Sequence, residues 1–199
     1  MVSQNDTMSL QLAFTPQANQ LLADDPLALL IGMLLDQQIP MEKAFTSPHV
    51  LAERLGVTAL DARQIAEYDP EQFEAIFRQV PALHRFPAAM AKRVQEMCRG
   101  LVAQYDGDAA SIWLTAATGP ELVSRIAGLP GFATQKAKIF TALLGKQFGV
   151  QPEGWREASG AYGEPGSFRS AADVVDGASL AKVRAFKKET KAAAKAATT

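Results

Sequence analysis

Gly128-Leu129-Pro130-Gly131-Phe132-Ala133-Thr134-Gln135-Lys136-Ala137-Lys138 joins two helical patterns through a turn of only a few residues. Before it, Leu122, Val123, Ile126 and Leu129 recur at the spacing of one helical face. Gly128 and Pro130 then stop that helix. After it, Ala137, Phe140, Leu143, Leu144 and Phe148 recur at three and four residues, so a second helix is expected from about Thr134, read as its N-cap. The first N–H groups of that helix have no partner within it, and the positive end of the helix dipole favours an anion there. Gly131 lets another backbone approach closely. The stretch therefore reads as a grip for a nucleic-acid phosphate, with an ordinary glycine-capped corner as the plainer alternative.

Two upstream segments bear on the choice. Leu29-Leu30-Ile31-Gly32-Met33-Leu34-Leu35 is an apolar helix, and Asp36-Gln37-Gln38-Ile39-Pro40-Met41-Glu42-Lys43-Ala44 follows it. Glutamines at the end of a buried helix need partners, because an unpaired polar group in a core costs roughly 1–3 kcal/mol. Met90 to Val102 forms a second long helical pattern, and Gln104-Tyr105-Asp106-Gly107-Asp108 closes it.

These three segments, in this order, resemble the helix-hairpin-helix base-excision DNA glycosylase superfamily, typified by endonuclease III and 3-methyladenine glycosylase II. The similarity spans roughly residues 25–150. It implies an all-α fold of two helical lobes with the base pocket and DNA groove between them, and an N-terminus that crosses back to the C-terminal lobe. It further implies that double-stranded, lesion-containing DNA is the partner. Leu129, Pro130, Gly131, Phe132, Ala133, Thr134, Gln135, Lys136 and Lys138 would then form the DNA-binding hairpin, with Ala133 where the family has its second turn glycine. Gln37 and Gln38 would lie near the lesion and the opposite strand.

The resemblance also addresses the chemistry. Bifunctional members attack the sugar with a lysine on the second hairpin helix and form a Schiff base. Gln135 occupies that position here, and a carboxamide is no amine nucleophile. Lys136 is adjacent, but one residue turns about 100° round a helix. The expected activity is therefore that of a monofunctional glycosylase, of the alkylated-base type, without β-lyase chemistry. The family's catalytic aspartate lies about 18 residues further on, where this chain has Glu153. Glu157 and Asp36 are the other candidate carboxylates. Flipped bases are held by aromatic stacking, and Trp155, beside Glu153, is preferred for that role over Trp113, Tyr105, Phe45 and Tyr162. A catalytically silent DNA-binding relative is the main alternative, and a helical interaction protein on the same scaffold is the third.

Composition bounds these readings. The chain has 199 residues, is 48% hydrophobic and carries a net charge of −1. Its mean hydropathy is −0.03 and its pI about 6.1, which argues for a cytoplasmic globular domain, expected as a monomer, and excludes DNA binding by bulk charge. The longest apolar stretch, Leu27 to Leu35, is too short for a membrane span, and the polar opening Met1 to Asp6 has no secretory pattern. A single cysteine, Cys98, excludes an internal disulfide and any four-cysteine iron-sulfur cluster. Cys98 itself reads as a core residue. His49 and His84 stand alone, so no side-chain metal site is expected. The only cofactor the resemblance allows is a monovalent cation on backbone carbonyls of the hairpin turn.

Charge is segregated. Lys182, Arg184, Lys187, Lys188, Lys191 and Lys195 face a single acid, Glu189, in residues 182–199, giving +5 there and −6 in the rest. This segment is helix-prone but has few apolar anchors after Phe186, and it reads as a frayed, solvated tail ahead of a dedicated DNA-binding arm; Lys136, Lys138 and Lys146, assisted by it, are the expected basic patch at the hairpin. Elsewhere helices are expected over Pro16–Ala23, Pro26–Leu35, Met41–Ala44, Pro48–Leu55, Ala59–Tyr68, Pro70–Phe77, Phe86–Tyr105, Ala109–Thr115 and Phe168–Val183. Met8 to Phe14 alternates at period two and suggests an extended segment.

Overall fold

The computed structural model describes residues 10–196, and their regular structure is entirely helical. Helices α1 (Pro16–Asp24), α2 (Pro26–Leu35), α3 (Met41–Leu55), α4 (Ala62–Glu67), α5 (Pro70–Arg78) and α6 (Pro87–Tyr105) pack mainly on one another. Helices α7 (Ser111–Leu114), α8 (Gly119–Ala127), α9 (Thr134–Gln147) and α10 (Trp155–Ser159) gather round α9, followed by α11 (Gly177–Ala196). One continuous apolar core runs through both groups.

Local chemistry sets the helix starts. Pro16, Pro26, Pro70 and Pro87 supply a first-turn residue whose missing N–H costs nothing. Thr15, Asp25, Asp61, Asp69 and Thr118 cap α1, α2, α4, α5 and α8 by accepting from first-turn N–H groups. Asp25 does more: Oδ1 accepts from Leu27 and Ala28 at 2.9 and 3.1 Å, while Oδ2 accepts from Leu60 at 2.8 Å. One buried carboxylate thus ties the start of α2 to the loop before α4.

Helix α2 is apolar on all sides, and every residue from Leu27 to Leu35 is buried. That pattern belongs to a central helix. Gly32 lets α3 come close, since a Cβ there would sit 2.7 Å from Phe45 Cδ1. The segments expected separately at Met41–Ala44 and Pro48–Leu55 form one helix, α3, with Pro48 inside it. The hydroxyls of Thr46 and Ser47 donate to the carbonyls of Glu42 and Lys43 just where the proline interrupts the ladder.

The chain ends depart from expectation. Met8 and Ser9 lie outside the described residues, and Leu10 to Phe14 forms no strand. Instead the N–H groups of Leu12 and Ala13 both donate to Asn19 Oδ1, and that of Phe14 to Thr46, which keeps this arm on α1 and α3. The described part of the N-terminus therefore does not cross to the other lobe. The helix expected over Phe168–Val183 starts only at Gly177. A 3-10 turn at Ala171–Asp173 precedes α11, and α11 continues to Ala196 in place of a frayed tail. Arg184 of α11 pairs with Glu42 of α3, so the C-terminal helix is the element that crosses back.

Candidate nucleic-acid interface

The hairpin forms as the spacing requires, with α8 and α9 separated by 128–133. Its apolar residues face inward: Leu129 and Phe132 are buried, and Phe132 packs on Phe140 with ring centroids 6.3 Å apart. Pro130 rests on α6, where a Cβ at Gly100 would lie 3.1 Å from Pro130 Cδ. Gly131 adopts φ +89° and rests on α2, where its missing Cβ would lie 2.5 Å from Leu34 Cδ1. Glycine is needed there twice, for the positive φ and for the space.

Ala133, not Thr134, is the N-cap of α9; its backbone is extended and it makes no side-chain cap. An alanine methyl has nothing to accept with, so the helix start is left open. Among the described residues, the N–H groups of Ala133, Thr134, Gln135 and Lys136 have no hydrogen-bond partner. Ala133, Thr134 and Gln135 are exposed. The outcome is a 14-residue helix whose positive end faces solvent, the arrangement that suits a phosphate oxygen.

The two side chains at the nucleophile position and beyond it diverge. Gln135 points outward, and its Nε2 donates to the Tyr162 hydroxyl at 2.8 Å. Lys136 points onto the end of α2, where Nζ lies 2.9, 3.0 and 3.3 Å from the carbonyl oxygens of Met33, Leu34 and Asp36. Its three N–H bonds thus satisfy carbonyls that the end of α2 leaves open. Burial lowers the Lys136 pKa to about 8, with Asp36 opposing the shift.

The glutamines after α2 sit at this same place. Gln37 Nε2 donates to Leu34 O at 2.7 Å, and its Oε1 accepts from Arg93 of α6 at 3.0 Å. The Gln37 carbonyl accepts from His84 Nε2 at 2.9 Å, while His84 Nδ1 accepts from the Phe86 N–H at 3.0 Å, which fixes the neutral tautomer. Burial holds the His84 pKa below its ordinary value. Gln38 is exposed and has φ +57°. A side chain rarely takes that backbone without cause, and here it projects Gln38 outward from a turn whose other residues are tied down. Asp36 is half-buried, and desolvation raises its pKa despite the opposing charges of Lys187 and Lys136.

Residues 31–198 match the family described as HhH-GPD superfamily base excision DNA repair protein. The chain belongs to that superfamily. No curated protein and no solved structure matches it. As an HhH-GPD protein it belongs to base excision DNA repair and binds DNA. The family match runs well past residue 150 and takes in α11, which the similarity read from the three segments left out.

Other expected site residues of this HhH-GPD chain fall elsewhere. Trp155 is buried, and its ring occupies the space left by Gly145 on α9. Gly145 and Lys136 are nine residues apart, which is roughly 13 Å along the helix and about half a turn round it. Trp155 therefore packs on the face of α9 opposite Lys136 and the α2 end, a core position with no room for a base. Trp113 and Phe45 are core residues too, Trp113 edge-on to Phe140 at 5.7 Å. Tyr162, half-buried and bonded to Gln135, is the aromatic that the fold brings to the hairpin. Lys146 is not part of a basic patch: it is held inside by Asp173 at 2.5 Å and by Glu164 O and Ser167 Oγ at 2.9 and 3.1 Å. Lys138 stays half-exposed on α9.

Glu153 is exposed, just before α10. Its carbonyl accepts from the Gly119 N–H at 2.7 Å, which fixes the backbone and leaves the carboxylate to solvent. Cys98 is fully buried and its thiol is pushed up to about 12, so it acts as an apolar filler. Among the described residues no cluster of three His, Cys, Asp or Glu side chains could hold a metal ion. The carbonyls of Pro130, Gly131 and Phe132 accept no hydrogen bond among the described residues.

Proposed function

We propose that this protein is a monofunctional DNA N-glycosylase that releases a damaged, alkylated base from double-stranded DNA. The observation that carries this reading is the division of labour on α9: its open N-terminus suits a phosphate, and neither side chain at the nucleophile position offers a free amine. Gln135 has no basic nitrogen, and the Lys136 N–H bonds are all engaged. Water is then the group that attacks the sugar.

In this scheme the hairpin amides hold the backbone beside the lesion, and a cation on the turn carbonyls would add positive charge near the phosphate. Extruding the base costs a few kcal/mol. Gln38, on its left-handed turn, would fill the space left in the duplex, and Tyr162 would be the stacking face. A carboxylate stabilises the cationic sugar as the glycosidic bond breaks and takes the proton from water. Glu153 is assigned that role by its position after the hairpin; Asp36, whose charge Lys187 and Lys136 favour against its burial, is the second candidate.

The alternative, a silent DNA-binding relative, is favoured by one observation: Glu153 is exposed and only its backbone is anchored. A base-release assay on duplexes carrying a panel of damaged bases separates the two. Release that is lost in Glu153→Gln supports the proposal as stated. Release that survives in Glu153→Gln but fails in Asp36→Asn moves the carboxylate to Asp36. Binding of an abasic-site duplex without release of any base selects the silent relative.

A further inference from the structure

We propose that one face of α11 is a second contact for the DNA backbone, continuous with the hairpin; this rests on the DNA-binding reading above. Arg184, Lys187, Lys188, Lys191 and Lys195 follow one another at intervals of three, one, three and four. At about 100° per residue these five cations fall within a stripe roughly 100° wide. The opposite side anchors the helix: Ser179 and Val183 are buried, Lys182 lies over the Phe168 ring at 4.3 Å, and Arg169 over the Phe186 ring at 5.5 Å. The apolar and basic faces are thus distinct, and the packing fixes which one looks outward.

The stripe begins at the candidate site. Arg184 pairs with Glu42 at the start of α3, and Lys187 is close enough to Asp36 and Lys136 to bias both ionisations. Lys136 belongs to the second hairpin helix, so the stripe starts beside the phosphate grip and runs away from it. Lys188, Lys191 and Lys195 are exposed, and among the described residues neither Lys188 nor Lys191 forms an ion pair. A cation in the last turn is explained by the helix dipole, but that influence fades within one turn. Lys188 and Lys191 lie earlier, so the dipole does not explain them. Charge complementarity does: the rest of the chain is net acidic, and the segment from residue 182 holds +5. A run of cations spaced about 5–6 Å apart along a helix suits successive phosphates of one strand.

The test is the salt dependence of binding to a fluorescein-labelled duplex containing an abasic-site analogue, measured by anisotropy. Each neutralised phosphate contributes about 0.9 to the slope of log K against log salt. The double variant Lys188→Ala, Lys191→Ala should lower that slope by up to about 2 and weaken binding at low salt at least several-fold. Alanine keeps helix propensity, and circular dichroism verifies that α11 persists. Lys92→Ala, on the exposed side of α6, should leave the slope unchanged. Wild-type binding with an unaltered slope in the double variant overturns the α11 contact and leaves the hairpin reading standing. Failure of the wild type to bind at low salt overturns both.

Discussion

The Gln135 carboxamide donates to the Tyr162 hydroxyl at 2.8 Å, which fastens the side chain at the lyase position to the 3-10 turn Gly160–Tyr162. The adjacent lysine, Lys136, is turned onto the end of α2. Borohydride reduction of the protein with an abasic-site duplex should therefore trap no covalent adduct. A trapped adduct mapped by mass spectrometry to Lys136 would show that the ammonium leaves its carbonyls when DNA binds.

Gly131 combines φ +89° with a missing Cβ that would stand 2.5 Å from Leu34 Cδ1. Gly131→Ala should cost about 1–3 kcal/mol, from the left-handed backbone and from displacement of Leu34. Urea denaturation gives the stability loss, and duplex binding should weaken in parallel because the turn is displaced. Unchanged stability would mean that the turn is not seated on α2.

Burial lowers the Lys136 pKa from 10.5 to about 8. Between those values the unfolded chain holds the proton and the folded chain has lost it, so stability rises with pH across that window. Below about pH 8 the cost of the buried charge is fully present. Cys98, whose thiol is pushed up to about 12, acts in the opposite direction above pH 9. The informative quantity is therefore the difference between wild type and Lys136→Met. Wild type should gain relative to the variant from pH 8 upward, and a difference independent of pH would contradict the burial of the ammonium.

The hairpin was readable because its signals are local: a Gly-Pro stop, a Pro-Gly turn and apolar residues at helical spacing all act between Leu122 and Phe148. Its seating on α6 and α2 was not, because Pro130 meets Gly100 and Gly131 meets Leu34 only in the folded chain. Trp155 next to Glu153 suggested a base pocket, but neighbours in sequence at a helix start need not share a face, and Gly145 supplied the space that buries the ring. Lys146 sits at a helical position that nothing local distinguishes from Lys138; Asp173, 27 residues later, draws it inside. The tail misled for a similar reason. Its alanines and lysines give α11 little apolar surface after Phe186, and one of the contacts that hold it is with Glu42, 142 residues away.

Glu42 is nearly buried, and Arg184 is the cation that pairs with it, while Glu42 Oε2 has no hydrogen-bond partner among the described residues. Arg184→Ala leaves that carboxylate uncompensated and should lower stability by about 1–3 kcal/mol. This is less than for a fully buried pair, since the guanidinium is 61% exposed. Adding Glu42→Gln should restore part of the loss. Additive single effects in the double-mutant cycle would mean that α11 is not held by this pair.

The seating of Pro130 on Gly100 and of Gly131 on Leu34 sets the hairpin into α6 and α2, the second of which ends at the Gln37–Gln38 turn. The open start of α9 and the turn that projects Gln38 thus share one packed frame, which sets the span between them. A frame of fixed span acts as a gauge. On the function proposed above, DNA whose backbone already yields at a weakened base pair would meet it cheaply, whereas sound duplex would first have to be bent to fit.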